Sequence, residues 1–125
     1  QIINTHLGLR RDERARQVEQ LLGPAWCRHP RFKAPAILCG DFNMTRRAKA
    51  HRAIARQMPN VRTRVRQRLQ RGTWMGLAHL DHIFITPDVR VDAVAVNVSL
   101  RSRLASDHFP LYATLTVCPP SARMA

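Results

Sequence analysis

Three of the eight acidic residues in this 125-residue chain, Asp41, Asp81 and Asp107, fall at the start or end of segments that read as β-strands. A carboxylate there is held by rigid backbone yet faces a rim where a ligand can sit, which suits metal binding or proton transfer. Asp is also common in turns, so each one alone is accounted for by turn chemistry. The neighbours shift that balance. Asp41 and Asn43 are two residues apart, and in extended backbone their side chains project to the same side. A carboxylate and an amide so placed can hold a hard cation, a nucleophilic water or a phosphate oxygen. Asp107 and His108 are adjacent and point to opposite sides, so they have different tasks. His108 can take or give a proton near neutral pH. Asp81, from another strand, can accept a hydrogen bond from its ring and fix the tautomer. His6, after Asn4-Thr5, can donate to a phosphate oxygen.

The elements that must position these groups follow from hydrophobic periodicity. Residues 1–6 read as a strand, and residues 11–22 as a helix with Ala15, Val18, Leu21 and Leu22 on one face, stopped by Gly23-Pro24. Residues 25–34 read as a loop. The apolar run Ala36-Ile37-Leu38-Cys39 between Pro35 and Gly40 fits a buried strand that delivers Asp41 into a loop. Thr45 can cap a second helix over 46–57. Residues 59–79 show no clear period. Residues 80–85 and 89–98 read as strands around a turn at Pro87-Asp88, residues 101–103 as loop, and 111–117 as a final strand. The fold class is α/β: the first two strands pair through a crossover helix, and the last three form a meander. Residues 1–117 form one folded unit and 118–125 a frayed tail.

Composition bounds the partners. The chain holds 21 Lys and Arg against 8 Asp and Glu, a formal net charge of +13. Such a field attracts nucleic acid, anionic lipid head groups or other phosphates, although an Arg-rich composition also follows from GC-rich coding. Residues 46–71 carry ten Lys or Arg and no acid. No apolar run approaches the ~18 residues of a membrane span. Cys27, Cys39 and Cys118 form no CxxC pair and are odd in number, which argues against a disulfide framework or a zinc site and tilts the compartment slightly to the cytoplasm. His29, His51, His79 and His82 lack metal-ligand spacing and read as structural or surface residues, with His79 and His82 on opposite sides of a strand.

The segments Asn4-Thr5-His6-Leu7, Gly40-Asp41-Phe42-Asn43, Leu80-Asp81-His82-Ile83-Phe84 and Ser106-Asp107-His108-Phe109-Pro110-Leu111 resemble, in order, four motifs of the endonuclease/exonuclease/phosphatase superfamily. The resemblance covers residues 1–117. It implies a two-sheet α/β sandwich, of which this chain is the C-terminal half, with mixed, largely antiparallel strands and flanking helices. It implies a divalent-metal-dependent phosphoester hydrolase of phosphodiesterase or endonuclease type that uses Mg²⁺ or Mn²⁺ as a Lewis acid. By position, His108 is the general base or acid, Asp81 orients it, Asp41 activates water or holds the metal, Asn43 contacts the scissile phosphate, Asp107 is a metal ligand or support, and His6 stabilises the phosphate.

The chain also departs from that pattern. A whole domain of the family is about twice as long and carries, upstream, an Asn and a metal-binding Glu. Glu13 and Glu19 do not replace them, since both fall on the solvated side of the first helix. The expectation is a site completed by an N-terminal half, or a sheet face that drives self-association. The resemblance implies a phosphoester substrate, with nucleic acid, a phospholipid head group and a small phosphoester all open. Arg62, Arg64, Arg66 and Arg68 alternate, so an extended segment presents all four on one side, where Arg62 and Arg64 can contact phosphates; a solvated loop accounts for the run equally simply. Trp74 is the better placed of the two tryptophans to meet substrate. The competing reading is a non-catalytic basic fragment, or remnant, that binds nucleic acid or other polyanions.

Overall fold

The structure, a computed structural model, describes residues 1–69 and 71–118. Among these residues the order of elements is β1 (Ile2–His6), α1 (Arg11–Leu21), β2 (Ile37–Asp41), α2 (Lys49–Gln57), a 3₁₀ turn (Val61–Thr63), β3 (Asp81–Ile85), β4 (Val89–Val96), α3 (Leu100–Ala105) and β5 (Leu111–Val117). β1 and β2 pair in parallel through the α1 crossover, and β3 adds to β2 antiparallel, giving a sheet in the order β1-β2-β3. β4 and β5 form a separate antiparallel pair.

Strand alternation decides what each face of the first sheet meets. Leu38 of β2 and Phe84 of β3 turn to one side. There they pack with Val18 and Leu21 of α1, Ile54 of α2, and Leu7, Phe42 and Met44 from the strand ends. Ile37, Ile83 and Ile85 turn to the other side, where Val89 and Val94 of β4 and Leu111, Ala113 and Leu115 of β5 cover them. Each fully buried side chain of this kind contributes about 1.5–3 kcal/mol. The result is a mixed α/β arrangement of two stacked sheets with α1 and α2 outside the first, as the motif resemblance implies.

Several local expectations are corrected. α2 begins at Lys49 rather than residue 46, and its N-cap is Ala48, whose side chain makes no capping bond. Thr45 acts through its carbonyl, which accepts the Ala48 N–H at 3.1 Å in a turn ahead of the helix. The last three strands are not a meander: β3 belongs to the first sheet, and the turn at Thr86-Pro87-Asp88 carries the chain across to the second. The expected loop at 101–103 is inside α3, started by Ser99, whose Oγ accepts the Ser102 N–H at 3.2 Å. Ala15 is exposed while Glu13 is partly buried against Gly8, so α1 is rotated relative to the expected face. His79 precedes β3 instead of lying in a strand. Of the expected tail, residues 119–125 lie outside the described residues.

Candidate active site

The strand register places three expected residues in one row. His6 is the partner of Asp41 across β1 and β2, and Asp41 is the partner of Asp81 across β2 and β3. By alternation all three side chains share the face that meets the second sheet, at the end of the first sheet where each strand enters or leaves the rim. His108 descends on this row from the segment ahead of β5. Its Nδ1 lies 2.8 Å from Asp81 Oδ2. A carboxylate can only accept there, so Nδ1 carries the proton and Nε2 presents a lone pair. Nε2 is 3.7 Å from Asp41 Oδ2, and His6 Nε2 approaches the same oxygen at 3.4 Å from the other side. The His6 side chain is 74% exposed, that of Asp41 18%. The exposed imidazole is therefore free to swing to a ligand, while the carboxylate is not.

Two devices hold the row. Thr73, fully buried, accepts the N–H groups of both Leu80 and Asp81 on its Oγ1 at 3.1 Å, and its carbonyl accepts the Phe109 N–H at 2.6 Å. One residue thereby ties the start of β3 to the segment bearing His108. At the other end of the row, Asp41 Oδ1 accepts the Asn43 N–H at 2.8 Å, and the Asn43 amide donates to the Leu7 carbonyl at 2.7 Å. Asn43 sits at φ +49°, in the left-handed region that Asn tolerates better than most residues. Asn43 thus does not project beside Asp41 as extended backbone requires; it locks the β2 exit onto the β1 exit.

Partial burial disfavours charge on His108. The hydrogen bond that its Nδ1–H donates to Asp81 and the negative charges of Asp81, Asp41 and Asp107 outweigh it, so the pKa of His108 lies above the ordinary value. Asp41, Asp81 and His108 each offer one ligand atom, all within 4.8 Å of one another. Their chemistry fits a hard cation only in part. Asp81 and His108 satisfy each other, which leaves Asp41 as the carboxylate able to reach a Mg²⁺ ion, a metal that takes one or two carboxylates and keeps its waters.

Behind the row lies a buried polar network that periodicity did not reveal. The Asn60 amide reaches His82 Nδ1 at 3.2 Å and His51 Nε2 at 3.5 Å, while its Oδ1 accepts the Arg62 N–H at 3.0 Å. His82 Nε2 donates to the Met44 carbonyl at 2.8 Å, just beyond Asn43. Burial drives the His82 pKa down to about 3, against the pull of the Met44 carbonyl; burial and the charges of Arg46 and Arg62 take His51 to about 4. Both rings are neutral, so each can accept one Asn60 N–H. The network pins α2, β3 and the loop after Asn43 together. Asn60→Leu strands two imidazole nitrogens and a backbone N–H, each costing about 1–3 kcal/mol when unsatisfied. The expected loss is about 2–4 kcal/mol of unfolding free energy in urea titrations; a change below about 1 kcal/mol means that the network does not hold the loop.

The remaining expected residues are dispersed. Asp107 is exposed, lines a cavity of about 560 Å³ with Arg71, Met75 and Arg103, and offers no oxygen to the three-residue cluster. Arg62 and Arg64 do not share a side: the 3₁₀ turn capped by Asn60 sends Arg62 to a pocket with Arg46, Arg66 and Arg68, and Arg64 to one beside Ile85 and Arg90. Trp74 is half-buried, and its backbone bridges to His108. Thr73 and Asn60 escaped sequence reasoning because a lone buried hydroxyl or amide in an irregular stretch has no periodic signature.

Comparison with known proteins identifies the family and the fold. The model of the endonuclease/exonuclease/phosphatase family matches residues 3–108. No curated protein matches the chain. Among solved structures, a conserved protein of unknown function from Enterococcus faecalis superposes with a TM-score of 0.80 at 24% identity, covering 93% of this chain and 49% of that one. A mannosyl-6-phosphatase from Bacteroides thetaiotaomicron gives 0.78 at 24% identity, with 92% and 50% covered. The human Nocturnin catalytic domain, solved with bound sulfate, gives 0.71 at 23% identity, with 93% and 46% covered. The chain therefore spans about half the length of these structures, and at such identities they establish the fold alone. With the family model matched over residues 3–108 and the fold shared with these structures, the chain belongs to the endonuclease/exonuclease/phosphatase family.

Proposed function

We propose that the protein carrying this chain is a divalent-metal-dependent phosphodiesterase, and that the chain supplies its proton-transfer apparatus. The observation that carries this reading is the line Asp81–His108–Asp41. The gap of 3.7 Å between His108 Nε2 and Asp41 Oδ2 is too long for a direct hydrogen bond and suits a water held by both. His108 Nε2 takes the proton from that water as it attacks phosphorus and the ester P–O bond breaks, the leaving oxygen taking a proton from solvent; Asp81 holds the ring in the required tautomer, and Asp41 orients the water or helps hold the metal. His6, exposed on the far side of Asp41, donates to a phosphate oxygen, and the second N–H of the Asn43 amide can do the same. Asp107 contributes chiefly its charge, which raises the pKa of His108. Mg²⁺ or Mn²⁺, when bound, neutralises charge on the phosphate oxygens. Asp41 would hold it, together with carboxylates contributed from outside this chain, by an N-terminal half or a partner copy.

The test is hydrolysis of plasmid DNA, phospholipid and phosphomonoester substrates by the whole protein with Mg²⁺ and with EDTA. Metal-stimulated cleavage that disappears in His108→Ala is expected. No hydrolysis of any phosphoester, or a His108→Ala variant indistinguishable from the parent, would sink the reading; salt-sensitive nucleic-acid binding without turnover would favour an anion-binding remnant.

A further inference from the structure

Arg62 is held in an unusual way. Its Nε and Nη1 are out of contact with solvent and meet no hydrogen-bond acceptor among the described residues, and Nδ1 of His79 is in the same condition. Arg62 as a whole is half-buried, but guanidinium nitrogens removed from solvent ordinarily have a carboxylate or carbonyl against them, because leaving a buried donor unpaired is costly. None is within easy reach in sequence: no acidic residue occurs between Asp41 and Asp81. What surrounds Arg62 is more positive charge. Arg46, Arg66 and Arg68 line the same cavity, of about 560 Å³, with Thr63 and Val65. Burial and the charge of Arg46 both work against protonation of Arg62. Several cations converging on one cavity without a protein counter-ion describe half of an ion pair. Arg is the side chain suited to complete it with a phosphate.

Two residues connect the cavity to the candidate active site: Arg46, which lines it, and His79, which feels the charges of Arg62 and Arg46. Arg46 is three residues beyond Asn43, and His79 is two residues before Asp81. A chain advances at most about 3.6 Å per residue, so the His79 backbone lies within about 7 Å of that of Asp81. The antiparallel bridge between Asn60 and Phe84 lays the start of the Arg62 segment alongside β3, and the Asn60 side chain reaches His82, the neighbour of Asp81. A substrate occupying both places needs at least two phosphates a short distance apart. A nucleic-acid strand provides this by repetition, whereas a phosphoester with one phosphate does not.

We propose that the Arg62 cavity binds a second, uncleaved phosphate of a nucleic-acid strand whose scissile phosphate lies at the Asp41–His108 site. The reading rests on the phosphodiesterase function above and names its substrate class. Arg62 donates through Nη2, the guanidinium nitrogen that is not sealed from solvent, Arg46 and Arg66 close the cavity from the solvent side, and the contact carries no base preference.

The experiment uses the whole protein, a fluorescein-labelled single-stranded oligodeoxynucleotide, and bis(p-nitrophenyl) phosphate as a diester with one phosphate. Arg62→Met keeps the aliphatic stem, Arg46→Ala removes an exposed cation of the same cavity, and Arg56→Ala removes an equal charge at the far end of α2. Oligonucleotide binding is read by anisotropy in EDTA, independently of turnover. Arg62→Met is expected to weaken binding about tenfold or more and to lower the slope of log affinity against log salt by about 0.7. Arg46→Ala follows in the same direction, and Arg56→Ala stays within about twofold. In turnover, the preference for oligonucleotide over bis(p-nitrophenyl) phosphate falls by the same factor as binding. The melting temperature of Arg62→Met stays level or rises, because an unpaired desolvated charge has been removed. Equal effects from Arg62→Met and Arg56→Ala overturn the subsite. So does a melting temperature lowered by several degrees, which would mean that a carboxylate elsewhere in the protein pairs with Arg62. Selective loss of binding to phosphatidylglycerol vesicles, with oligonucleotide binding intact, overturns the strand as ligand. If the parent hydrolyses nothing while Arg62→Met still loses oligonucleotide binding, the subsite stands and the enzymatic reading falls.

Discussion

Replacing Asp81 with asparagine is expected to lower turnover of a phosphodiester by about 10³–10⁴-fold while leaving the fold intact. Asparagine is nearly isosteric, but its amide can donate where the carboxylate only accepts. Facing His108 Nδ1 across 2.8 Å, it can stabilise the tautomer with the proton on Nε2. The nitrogen that faces Asp41 is then a donor and cannot take a proton from water. His108→Ala removes the base outright and is expected to cost a comparable factor. Because the two residues act as one unit, the double variant should lose little more than either single variant. A pH profile gives an independent check. Burial lowers the His108 pKa, but Asp81, Asp41 and Asp107 raise it more, so the folded value lies above the ordinary 6.5. A general base must be neutral, so kcat/KM rises with pH through a limb above about 6.5. Losing the Asp81 carboxylate removes the two largest raising causes, its hydrogen bond and its charge, so the limb of the residual activity moves to lower pH. A limb that stays in place, or a double variant whose losses multiply, would show that Asp81 does not act through His108.

The candidate site was readable from sequence because it rests on β-strand arithmetic. Alternation puts His6, Asp41 and Asp81 on faces that apolar neighbours already assign, and the motif order brings His108 to the same end. Where the chain leaves strict period two, reading failed for physical reasons. Asn43 leaves extended backbone at φ +49°, so the rule that residues two apart share a side does not reach it. Arg62, Arg64, Arg66 and Arg68 alternate in sequence, but Asn60 caps a 3₁₀ turn whose rotation separates the first two. The turn at Pro87-Asp88 separates two strands in the way a hairpin loop does, yet β3 finds its partner in β2 and β4 in β5. Local sequence marks the ends of strands and says little about which sheet each joins. α3 is six residues long, with Leu100 and Leu104 exposed, so it has no buried stripe; its Ser99 cap was the one available sign. Thr73 could not be found at all, because its importance lies entirely in what two distant backbone segments ask of its hydroxyl and carbonyl.

Gly40→Ala is expected to be the most damaging single change to stability. Gly40 has φ +136°, a conformation that side-chain-bearing residues rarely adopt, at a cost of about 1–3 kcal/mol. Strain is the smaller part. A Cβ at Gly40 would overlap the Thr5 carbonyl oxygen on the neighbouring strand and come within 3.0 Å of Asn4 Oδ1. Thr5 and Gly40 are register partners in the parallel pair, so backbone meets backbone and no side chain can turn aside. β1 must move away from β2, and the contacts of Ile3 and Leu7 with the helix-side core loosen with it. The expected cost exceeds about 3 kcal/mol, a drop in melting temperature of about 10 °C or more, or failure to accumulate folded protein. Gly76 is the internal comparison. It too has positive φ, +74°, but a Cβ there meets only Phe109 Cε2 at 3.4 Å and the flexible Arg71 side chain at 3.9 Å. Gly76→Ala should therefore cost about 1 kcal/mol, backbone strain alone. If thermal denaturation ranks Gly76→Ala as the worse of the two, close strand approach is not what Gly40 provides. Should folded Gly40→Ala be recovered, it should also be nearly inactive. The displaced strand carries His6, its partner carries Asp41, and the separation of 3.4 Å between those side chains depends on the strand spacing that glycine permits.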